Sequence, residues 1–277
     1  MTVPDRYAVF GDPIKQSKSP RIQSLFAEQT GQNLSYVAEQ VPAEQFVKQV
    51  TDFFAGGGKG LNCTLPLKEL AWQFADQLTE RARLAKAVNT LAVQADGSIL
   101  GDNTDGIGLV NDLSRNHGIR LSQQRILILG AGGASRGIVL PLLECQPAQI
   151  VIANRTVSKA EAMVADFNGQ GRLQAVGYDA LVGQQFDLVL NATSASLSQQ
   201  LPDLPADLLA KNASCYDLAY GNQATAFVIW GMQHGAVPSW DGLGMLVEQA
   251  AEAFSIWRGL RPDTAAVIEL LEAERRA

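Results

Sequence analysis

The chain has 277 residues, of which 47% are hydrophobic and 18% are charged. This length and composition are typical of a folded protein with two domains or one large domain, and they exclude a disordered chain. The formal net charge of −6 argues against a nucleic-acid-binding protein, because such proteins usually carry a basic excess.

The chain start, the cysteines and the histidines bear on the compartment of the protein. Residues 1–20 lack the basic and apolar segments of a secretion signal, and no run of about 18 apolar residues predicts a membrane-spanning helix. Cys63, Cys145 and Cys215 lie far apart, so we expect free thiols in the reducing cytoplasm. His117 and His234 are isolated, and we predict no metal site.

Residues 1–104 alternate between strand-like and helix-like segments. The predicted strands are 6–10, 34–39 and 60–64, with a hairpin of 87–93 and 98–101. The predicted helices are 21–29, 44–54 and one that opens at Pro66. Ser19 is predicted as the N-cap of the first helix, with Pro20 at its first position. This alternation predicts an α/β domain.

The remaining residues repeat a strand–helix pattern after a connecting helix at 105–117 that ends before Gly118. The predicted strands are 125–129, 150–153, 187–191 and 213–218. The predicted helices are 136–144, 157–167, 225–234 and 244–257. After Arg125, strand 125–129 (RILIL) is a continuous apolar run, as a central parallel strand should be. The repetition predicts a doubly wound parallel sheet.

A glycine-rich turn joins the apolar strand 125–129 to the next helix. Gly130 and Gly132 match the first two glycines of the G-x-G-x-x-G/A dinucleotide-binding pattern. The first permits a tight turn, and the second lets the backbone approach a diphosphate at the helix N-terminus. We therefore expect a dinucleotide at Gly130, Ala131, Gly132, Gly133, Ala134 and Ser135, although a tight turn without a ligand would have the same pattern.

The residues after the next strand distinguish NADP from NAD. An NAD site carries Asp or Glu there to bind the ribose 2′-hydroxyl. This chain instead has Asn154, Arg155 and Thr156, with Lys159 one turn later. Arg155 is suited to pair with a 2′-phosphate and to lie against the adenine ring. The sequence therefore predicts NADP as the cofactor, with solvated surface cations as the alternative interpretation.

Polar residues of the first domain fall at strand ends or at loop–helix junctions. Such positions converge on the ligand crevice of an open α/β sheet. Each has an ordinary structural alternative, such as a strand residue for Thr64, a turn former for Asn89 and a surface lysine for Lys68. The set comprises Ser17, Ser19, Asn62, Thr64, Lys68, Asn89 and Asp105.

Short motifs occur in order along nearly the whole chain. They are GDPI with SKSP at 11–20, NCTLPLK at 62–68, AVNT at 87–90, GDNTDG at 101–106, GAGGAS at 130–135, NRT at 154–156, NATS at 191–194 and DGLGMLVEQ at 241–249. Their order and spacing resemble the shikimate dehydrogenase family. The resemblance implies an NADP-dependent enzyme of aromatic amino-acid biosynthesis that interconverts 3-dehydroshikimate and shikimate.

The resemblance also implies a role for each matching residue. Lys68 and Asp105 would be the catalytic pair, and Ser17 and Ser19 would bind the substrate carboxylate. The other substrate-binding residues would be Asn62, Thr64, Asn89, Gln249 and Tyr220. The cofactor site would comprise residues 130–135, Asn154, Arg155, Thr156, Lys159, Thr193, Leu218, Gly242 and Met245.

Carbonyl reduction explains why a lysine and a carboxylate would stand together. The reaction needs a hydride, which the nicotinamide supplies, and a proton for the oxygen that becomes negative. A protonated Lys68 can supply that proton and stabilise the growing charge. Asp105 beside it would keep the lysine charged and aimed.

The predicted fold class is α/β, with an N-terminal α/β substrate domain and a doubly wound, Rossmann-like NADP-binding domain. The predicted boundaries are 1–104 for the substrate domain, 105–121 for the linking helix and 122–240 for the NADP-binding domain. Residues 241–277 are predicted as C-terminal helices that return to the substrate domain. We expect a small-molecule substrate, no nucleic-acid or membrane partner, and a monomer or homodimer.

Two other functions remain open at this stage. One is a quinate/shikimate dehydrogenase with broader substrate or NAD use, against which the missing carboxylate after Ala153 argues. The other is a catalytically inactive dinucleotide-binding regulator, against which Lys68 and Asp105 argue. The chain departs from the usual family pattern at Asp12, at Gln16 and at residues 195–198 (ASLS), where the family usually places glycine beside the nicotinamide.

Overall fold

The computed structural model describes residues 3–193 and 201–276. Its contacts divide the chain into two compact units. The first unit is Met1–Gly108 with Val247–Leu271, and the second unit is Leu109–Leu246 with Glu272–Ala277. These divisions fall at 108 and 246, a few residues beyond the boundaries that the sequence predicts.

A six-stranded mixed sheet forms the centre of the first unit. Its strands are β1 (Asp5–Gly11), β2 (Leu34–Gln40), β3 (Gly58–Cys63), β4 (Gln77–Leu78), β5 (Thr90–Val93) and β6 (Ile99–Asp102), in the order β2-β1-β3-β5-β6-β4. Strand β5 runs antiparallel to both β3 and β6. The carboxyl ends of β3 and β6 therefore meet the amino end of β5 at one edge of the sheet.

Short helices accompany this sheet. They are α1 (Ser19–Thr30), α2 (Phe46–Ala55), α3 (Lys68–Phe74) and α4 (Glu80–Ala85), with α5 (Asp105–Asn111) following β6. The alternating apolar residues of the strands and helices fill a core that includes Phe10, Phe46 and Leu61, all at most 1% exposed. Strand β4 and helix α4 were not predicted, because each is too short to show a clear hydrophobic period.

The second unit contains a six-stranded sheet in which all strand pairs are parallel. Its strands are β7 (Arg125–Leu129), β8 (Gln149–Ala153), β9 (Leu173–Val176), β10 (Phe186–Asn191), β11 (Leu209–Asp217) and β12 (Ser239–Trp240). The spatial order β12-β11-β10-β7-β8-β9 is the 3-2-1-4-5-6 order of doubly wound dinucleotide-binding sheets, read from the other edge. This order confirms the predicted fold class.

Helices α6 (Gly133–Glu144), α7 (Val157–Asp166) and α8 (Ala226–Gln233) connect these strands. Helix α9 (Leu243–Arg258) and helix α10 (Ala265–Arg276) follow, and both cross the division between the units. The side chains of Ile126, Leu127, Ile128 and Leu129 are fully buried, as the apolar run in β7 predicts. Two helices occupy residues 241–277, where the sequence predicts C-terminal helices, although it gave no bounds for α10.

The predicted N-cap role of Ser19 is wrong. Helix α1 begins at Ser19 itself, so the N-cap position belongs to Lys18. Within the described residues, the Lys18 side chain makes no capping hydrogen bond to this helix. Ser17 Oγ instead accepts a hydrogen bond from the Ser19 N–H at 3.3 Å. The Ser19 hydroxyl is therefore not committed to its own helix and is left for other partners.

Several other helix bounds differ from the sequence prediction, and α3 begins at Lys68 rather than at Pro66. Helix α6 begins at Gly133 rather than at residue 136, because the small residues of the glycine-rich turn already adopt helical geometry. Helix α5 ends at Asn111 and continues as a π-helical turn, Asp112–Asn116. Gly118 follows with φ +68°, a left-handed conformation that favours glycine, as predicted for a helix end.

Candidate active site

Polar residues gather at the edge of the first-unit sheet where β3 and β6 end and β5 begins. The Cys63 N–H donates to the Asn89 carbonyl at 2.9 Å, and the Asn89 N–H donates to the Asp102 carbonyl at 3.0 Å. These backbone bonds hold Asn89 between the ends of β3 and β6. Asn62, the last residue but one of β3, is only 8% exposed.

Lys68 and Asp105 form an ion pair at this edge. The Lys68 Nζ donates to Asp105 Oδ2 at 2.5 Å, and the two side chains are 16% and 10% exposed. Lys68 opens α3 and Asp105 opens α5, so each side chain projects from the first turn of a helix. The pair is largely shielded from solvent, but a small ligand can still reach it, and a proton-transferring residue needs such access to its substrate.

The Asn89 side chain holds the Asp105 carboxylate in place. Its Nδ2 donates to Asp105 Oδ1 at 2.7 Å, and its Oδ1 accepts from the Thr104 N–H at 2.9 Å. The Gln249 Oε1 lies 3.4 Å from both Asn89 Nδ2 and Thr104 Oγ1. Each Asp105 oxygen therefore has its own partner, Lys68 on one side and Asn89 on the other.

The network continues through Asn62 to Tyr36. The Asn62 Nδ2 donates to Thr90 Oγ1 and to the Asn89 carbonyl, each at 3.0 Å, and the Tyr36 hydroxyl donates to Asn62 Oδ1 at 2.7 Å. Burial raises the pKa of Tyr36 well above its usual value, although a hydrogen bond with Ser19 lowers it. The structure thus links Ser19, Tyr36 and Asn62.

Sequence reasoning missed Tyr36. A tyrosine in a strand is usually a core residue, and no motif marks it. Tyr36 lies on β2, and strand β1 separates β2 from β3 in the sheet. Its place beside Asn62 depends on a strand order that local patterns do not encode.

Ser17 and Thr64 flank this cluster. Both side chains are half-buried. Gly11 precedes the Ser17 loop, and a Cβ at Gly11 would overlap the Thr64 side chain, so only glycine allows Thr64 to pack there. The Thr64 N–H donates to the Phe10 carbonyl at 2.9 Å, which fixes the end of β3 against the end of β1.

The glycine-rich turn of the second unit connects β7 to α6. Gly130 has φ +101°, a left-handed conformation that favours glycine, and a Cβ there would also lie in tight contact with Thr193 Cγ2, at 3.0 Å. The fully buried Ser135 hydroxyl donates to the Gly130 carbonyl at 2.7 Å. Ser135 therefore stabilises the conformation of the turn through this hydrogen bond.

Asn154 joins the turn to the end of β8. Its Oδ1 accepts from the Ala131 N–H at 3.2 Å, and its Nδ2 donates to the Thr156 carbonyl at 2.8 Å. Arg155, Thr156 and Lys159 follow, and all three are exposed. Across residues 3–193 and 201–276, neither cation forms a salt bridge. They are therefore available to an anionic ligand.

The other predicted cofactor residues lie at the carboxyl ends of β10 and β11. Thr193 Oγ1 donates to Asn191 Oδ1 at 2.7 Å, and Asn191 Nδ2 donates to the buried Asp217 at 3.0 Å. A Cβ at Gly242 would overlap the Leu218 carbonyl, so glycine is required there. The predicted residues placed here are Thr193, Leu218, Tyr220, Gly242 and Met245, all in the second unit.

Asp217 is a second residue that the sequence prediction missed. Its Oδ1 accepts from Asn191 and from the Ala219 N–H, and its Oδ2 accepts from Thr225 Oγ1 at 2.6 Å. It is fully buried and organises the loop before Tyr220. The sequence predicts only a strand at 213–218, and it does not show the partners of Asp217 because Asn191 and Thr225 belong to other elements.

The residues present fit a phosphorylated dinucleotide. Gly132 is the N-cap of α6 and supplies no side-chain cap, and a Cβ at Gly132 or Gly133 would meet nothing within 4 Å. The helix N-terminus is therefore open in front of its N–H groups, which favour an anion. Arg155 and Lys159 add positive charge after β8. Among the described residues, no group of three or more His, Cys, Asp or Glu could hold a metal ion.

Family models match three parts of the chain. The substrate binding domain of shikimate dehydrogenase matches residues 9–91, the shikimate/quinate 5-dehydrogenase model matches 112–201, and the shikimate 5′-dehydrogenase C-terminal domain matches 242–272. A protein named shikimate dehydrogenase (NADP⁺) from Methylococcus capsulatus is 61% identical over 276 residues, which cover 100% of this chain and 99% of that protein. The chain belongs to the shikimate dehydrogenase family.

Solved structures agree with this family assignment. An Ael1 enzyme from Pseudomonas putida is 49% identical with a TM-score of 0.91, covering 96% of this chain and 98% of that one. A Thermus thermophilus shikimate 5-dehydrogenase solved with NADP(H) and shikimate is 32% identical with a TM-score of 0.86, covering 98% and 99%. Residues 195–198, where the sequence departs from the usual family pattern, lie outside the described residues.

Proposed function

We propose that this protein catalyses the reversible NADPH-dependent reduction of 3-dehydroshikimate to shikimate, a step towards chorismate and the aromatic amino acids. The Lys68–Asp105 ion pair carries the proposal, because it places one proton donor within a cluster of amide and hydroxyl groups. Such a cluster suits a small ring with several hydroxyls and a carboxylate. The names of the relatives supply the substrate and the cofactor.

Lys68 holds the proton that the reaction needs. When bound, the nicotinamide supplies the hydride for the carbonyl carbon. The Lys68 Nζ donates its proton to the carbonyl oxygen and stabilises the negative charge that develops there. In the oxidative direction the same nitrogen receives the proton from the hydroxyl.

Asp105 orients both the lysine and the substrate. Its Oδ2 holds the Lys68 ammonium, and its Oδ1 is held by Asn89, so the carboxylate cannot rotate freely. In this position it accepts a hydrogen bond from a substrate hydroxyl next to the reacting carbon. Asn62, Thr64, Asn89 and Gln249 bind the other ring hydroxyls, and Ser17 and Ser19 bind the carboxylate.

The second unit selects the cofactor. The backbone of residues 130–135 binds the diphosphate, and Asn154, Arg155, Thr156 and Lys159 bind the 2′-phosphate and adenosine. Thr193, Leu218, Gly242 and Met245 would border the nicotinamide, and Tyr220 is assigned to substrate binding. We assign the substrate role to the domain around residues 1–104 and the cofactor role to 122–240, with 105–121 as the linking helix.

We place the enzyme in the cytoplasm as a monomer or homodimer. The free state of Cys63, Cys145 and Cys215 supports a reducing compartment. No helix in the described part of the chain is long and apolar enough to cross a membrane. Size-exclusion chromatography with light scattering distinguishes the two oligomeric states.

A spectrophotometric assay tests the proposal. Purified protein is supplied with shikimate or quinate and with NADP⁺ or NAD⁺, and absorbance of the reduced nicotinamide is followed. We expect the highest kcat/KM with shikimate and NADP⁺. Higher activity with quinate or NAD⁺ would favour a broader quinate/shikimate dehydrogenase, and no turnover with any pair would refute both enzyme assignments.

A further inference from the structure

Arg275, in the last turn of α10, bonds to two loops of the second unit. Its Nη1 donates to Asp241 Oδ2 at 2.5 Å and to the Gly221 carbonyl at 3.5 Å. All three residues belong to the second unit. The Arg275 and Asp241 side chains are 20% and 6% exposed, so solvent and salt screen the pair only weakly.

Asp241 uses its second oxygen to cap α9. The Leu243 N–H donates to Asp241 Oδ1 at 3.2 Å, so one carboxylate both caps the helix and binds Arg275. The next residue, Gly242, donates its N–H to the Ala219 carbonyl at 3.0 Å. The turn at residues 241–242 is therefore packed directly on the backbone that follows β11.

Glu272 fixes the direction of the Arg275 guanidinium. Arg275 Nε and Nη2 donate to the two Glu272 oxygens at 2.8 and 2.6 Å. Nη1 is then the nitrogen that points to Asp241. The planar guanidinium allows this arrangement, whereas a lysine ammonium could not make both contacts in the same geometry.

The two loops that Arg275 joins carry residues that we assign to the nicotinamide side of the site. Gly221 follows Tyr220, and Asp241 precedes Gly242. We propose that Arg275 is a positioning residue for the nicotinamide half of the NADP site. The inference rests on the proposed function for the identity of the cofactor and for the roles of Tyr220 and Gly242.

The loops to which Arg275 bonds lie on the side of the cofactor site that we assign to the nicotinamide. The adenosine half is formed by residues 130–135 and 154–159, none of which bonds to Arg275 in the contacts above. Loss of Arg275 should therefore weaken the binding of a complete dinucleotide and leave the binding of its adenosine half unchanged. General loosening of the second unit would weaken both.

The test compares two ligands in variants of the full chain. NADPH and 2′,5′-ADP, which has only the phosphorylated adenosine half, are titrated by calorimetry into wild type, Arg275→Ala and Arg276→Ala. Arg276 is the exposed neighbour and serves as the matched control. We expect Arg275→Ala to raise the Kd of NADPH by about three- to tenfold while that of 2′,5′-ADP stays constant. Arg276→Ala should change neither.

Two further variants test the route through Asp241. Asp241→Asn keeps an oxygen to cap α9 but removes the charge, and it should weaken NADPH binding like Arg275→Ala. Because the two residues share the Arg275–Asp241 contact, the loss of affinity in the double variant should be smaller than the sum of the losses in the single variants. Arg275→Lys should bind NADPH more tightly than Arg275→Ala does, though more weakly than wild type. This variant also serves as the test if Arg275→Ala folds poorly.

The outcomes separate this inference from the proposed function. Equal loss of NADPH and 2′,5′-ADP affinity, or no loss of either, would overturn the role of Arg275. Additive effects of Asp241→Asn and Arg275→Ala would do the same. Because the titrations use no substrate, a wild-type protein that fails to oxidise shikimate refutes the proposed function without deciding this question.

Discussion

The candidate binding sites of the two units are built from different parts of the chain. The candidate substrate cluster of the first unit (Asn62, Lys68, Asn89, Thr104 and Asp105) consists of side chains, and the structure pairs its charges with each other. The candidate cofactor site of the second unit consists of a backbone turn, with two exposed cations that form no salt bridge in the described part of the chain.

This difference has a physical consequence. In the first unit, each side chain is held by its neighbours, so a substitution disturbs a network and should affect chemistry and stability together. In the second unit, the turn is fixed by backbone conformation and by buried Ser135, while Arg155 and Lys159 are free to meet a ligand. A substitution of either cation should alter ligand preference and leave the fold intact.

The largest expected effect comes from Lys68→Ala, which removes the proposed proton donor. We expect kcat to fall by about 10²- to 10⁴-fold. The KM for shikimate should change little, because charge develops mainly in the transition state. Steady-state kinetics on Lys68→Ala and on Lys59→Ala, an exposed lysine of the same unit, measures this. A large rise in KM with kcat intact would make Lys68 a binding residue.

A buried ion pair near the cluster tests how far the first unit depends on paired charges. Arg81 Nε and Nη2 bind the two Asp102 oxygens at 2.7 Å each, and Asp102 is 3% exposed. Desolvation by burial raises the pKa of Asp102. The hydrogen bonds from Arg81 and Thr79 lower this pKa by a larger amount, so the net shift is downward. Asp102→Asn should lower the free energy of unfolding at pH 7 by about 3–5 kcal/mol.

The pH dependence of this effect has a definite sign. A lowered folded-state pKa adds stability above the unfolded-state pKa, and that stability is lost as the pH falls through the folded value. The difference in urea midpoint between wild type and Asp102→Asn should therefore shrink as the pH falls below about 4. Asp52→Asn, at an exposed surface pair, is the control. A constant difference at all pH values would contradict this account.

Arg155→Ala tests the free cations of the second unit. Loss of a charged partner should raise the KM for NADP⁺ by about 10- to 100-fold and leave the KM for NAD⁺ nearly unchanged. Arg172→Ala, another exposed arginine of this unit, provides the control. Equal loss with both cofactors would show that Arg155 does not recognise the 2′-phosphate.

The smallest expected effect is that of Tyr36→Phe, which removes the hydroxyl that donates to Asn62. The KM for shikimate should rise by about two- to tenfold, because Asn62 loses one of the contacts that orient it. Tyr7→Phe removes a buried hydroxyl of the same unit that bonds to Arg258 instead. If both variants raise the KM equally, Tyr36 has no special relation to the site.

The cofactor turn of the second unit was easier to predict than the substrate cluster of the first, although strands β9 and β12 of the second unit were not predicted. The apolar run of β7, Gly130 and the residues after β8 lie close together in the chain, so local patterns reveal them. The first-unit motifs were visible, but their assembly depends on the antiparallel β5 between β3 and β6. That strand order also explains why Tyr36 was missed. Asp217 was missed because its partners Asn191 and Thr225 lie in other elements of the chain.

The most direct test of the division between the units is the cofactor preference of Lys68→Ala. The ratio of kcat/KM for NADP⁺ to kcat/KM for NAD⁺ is measured in wild type and in Lys68→Ala at saturating shikimate. Lys68→Ala should lower both rate constants by the same factor and leave the ratio unchanged, because Lys68 moves a proton and does not select the cofactor. A changed ratio would show that the first unit also selects the cofactor and would contradict the account.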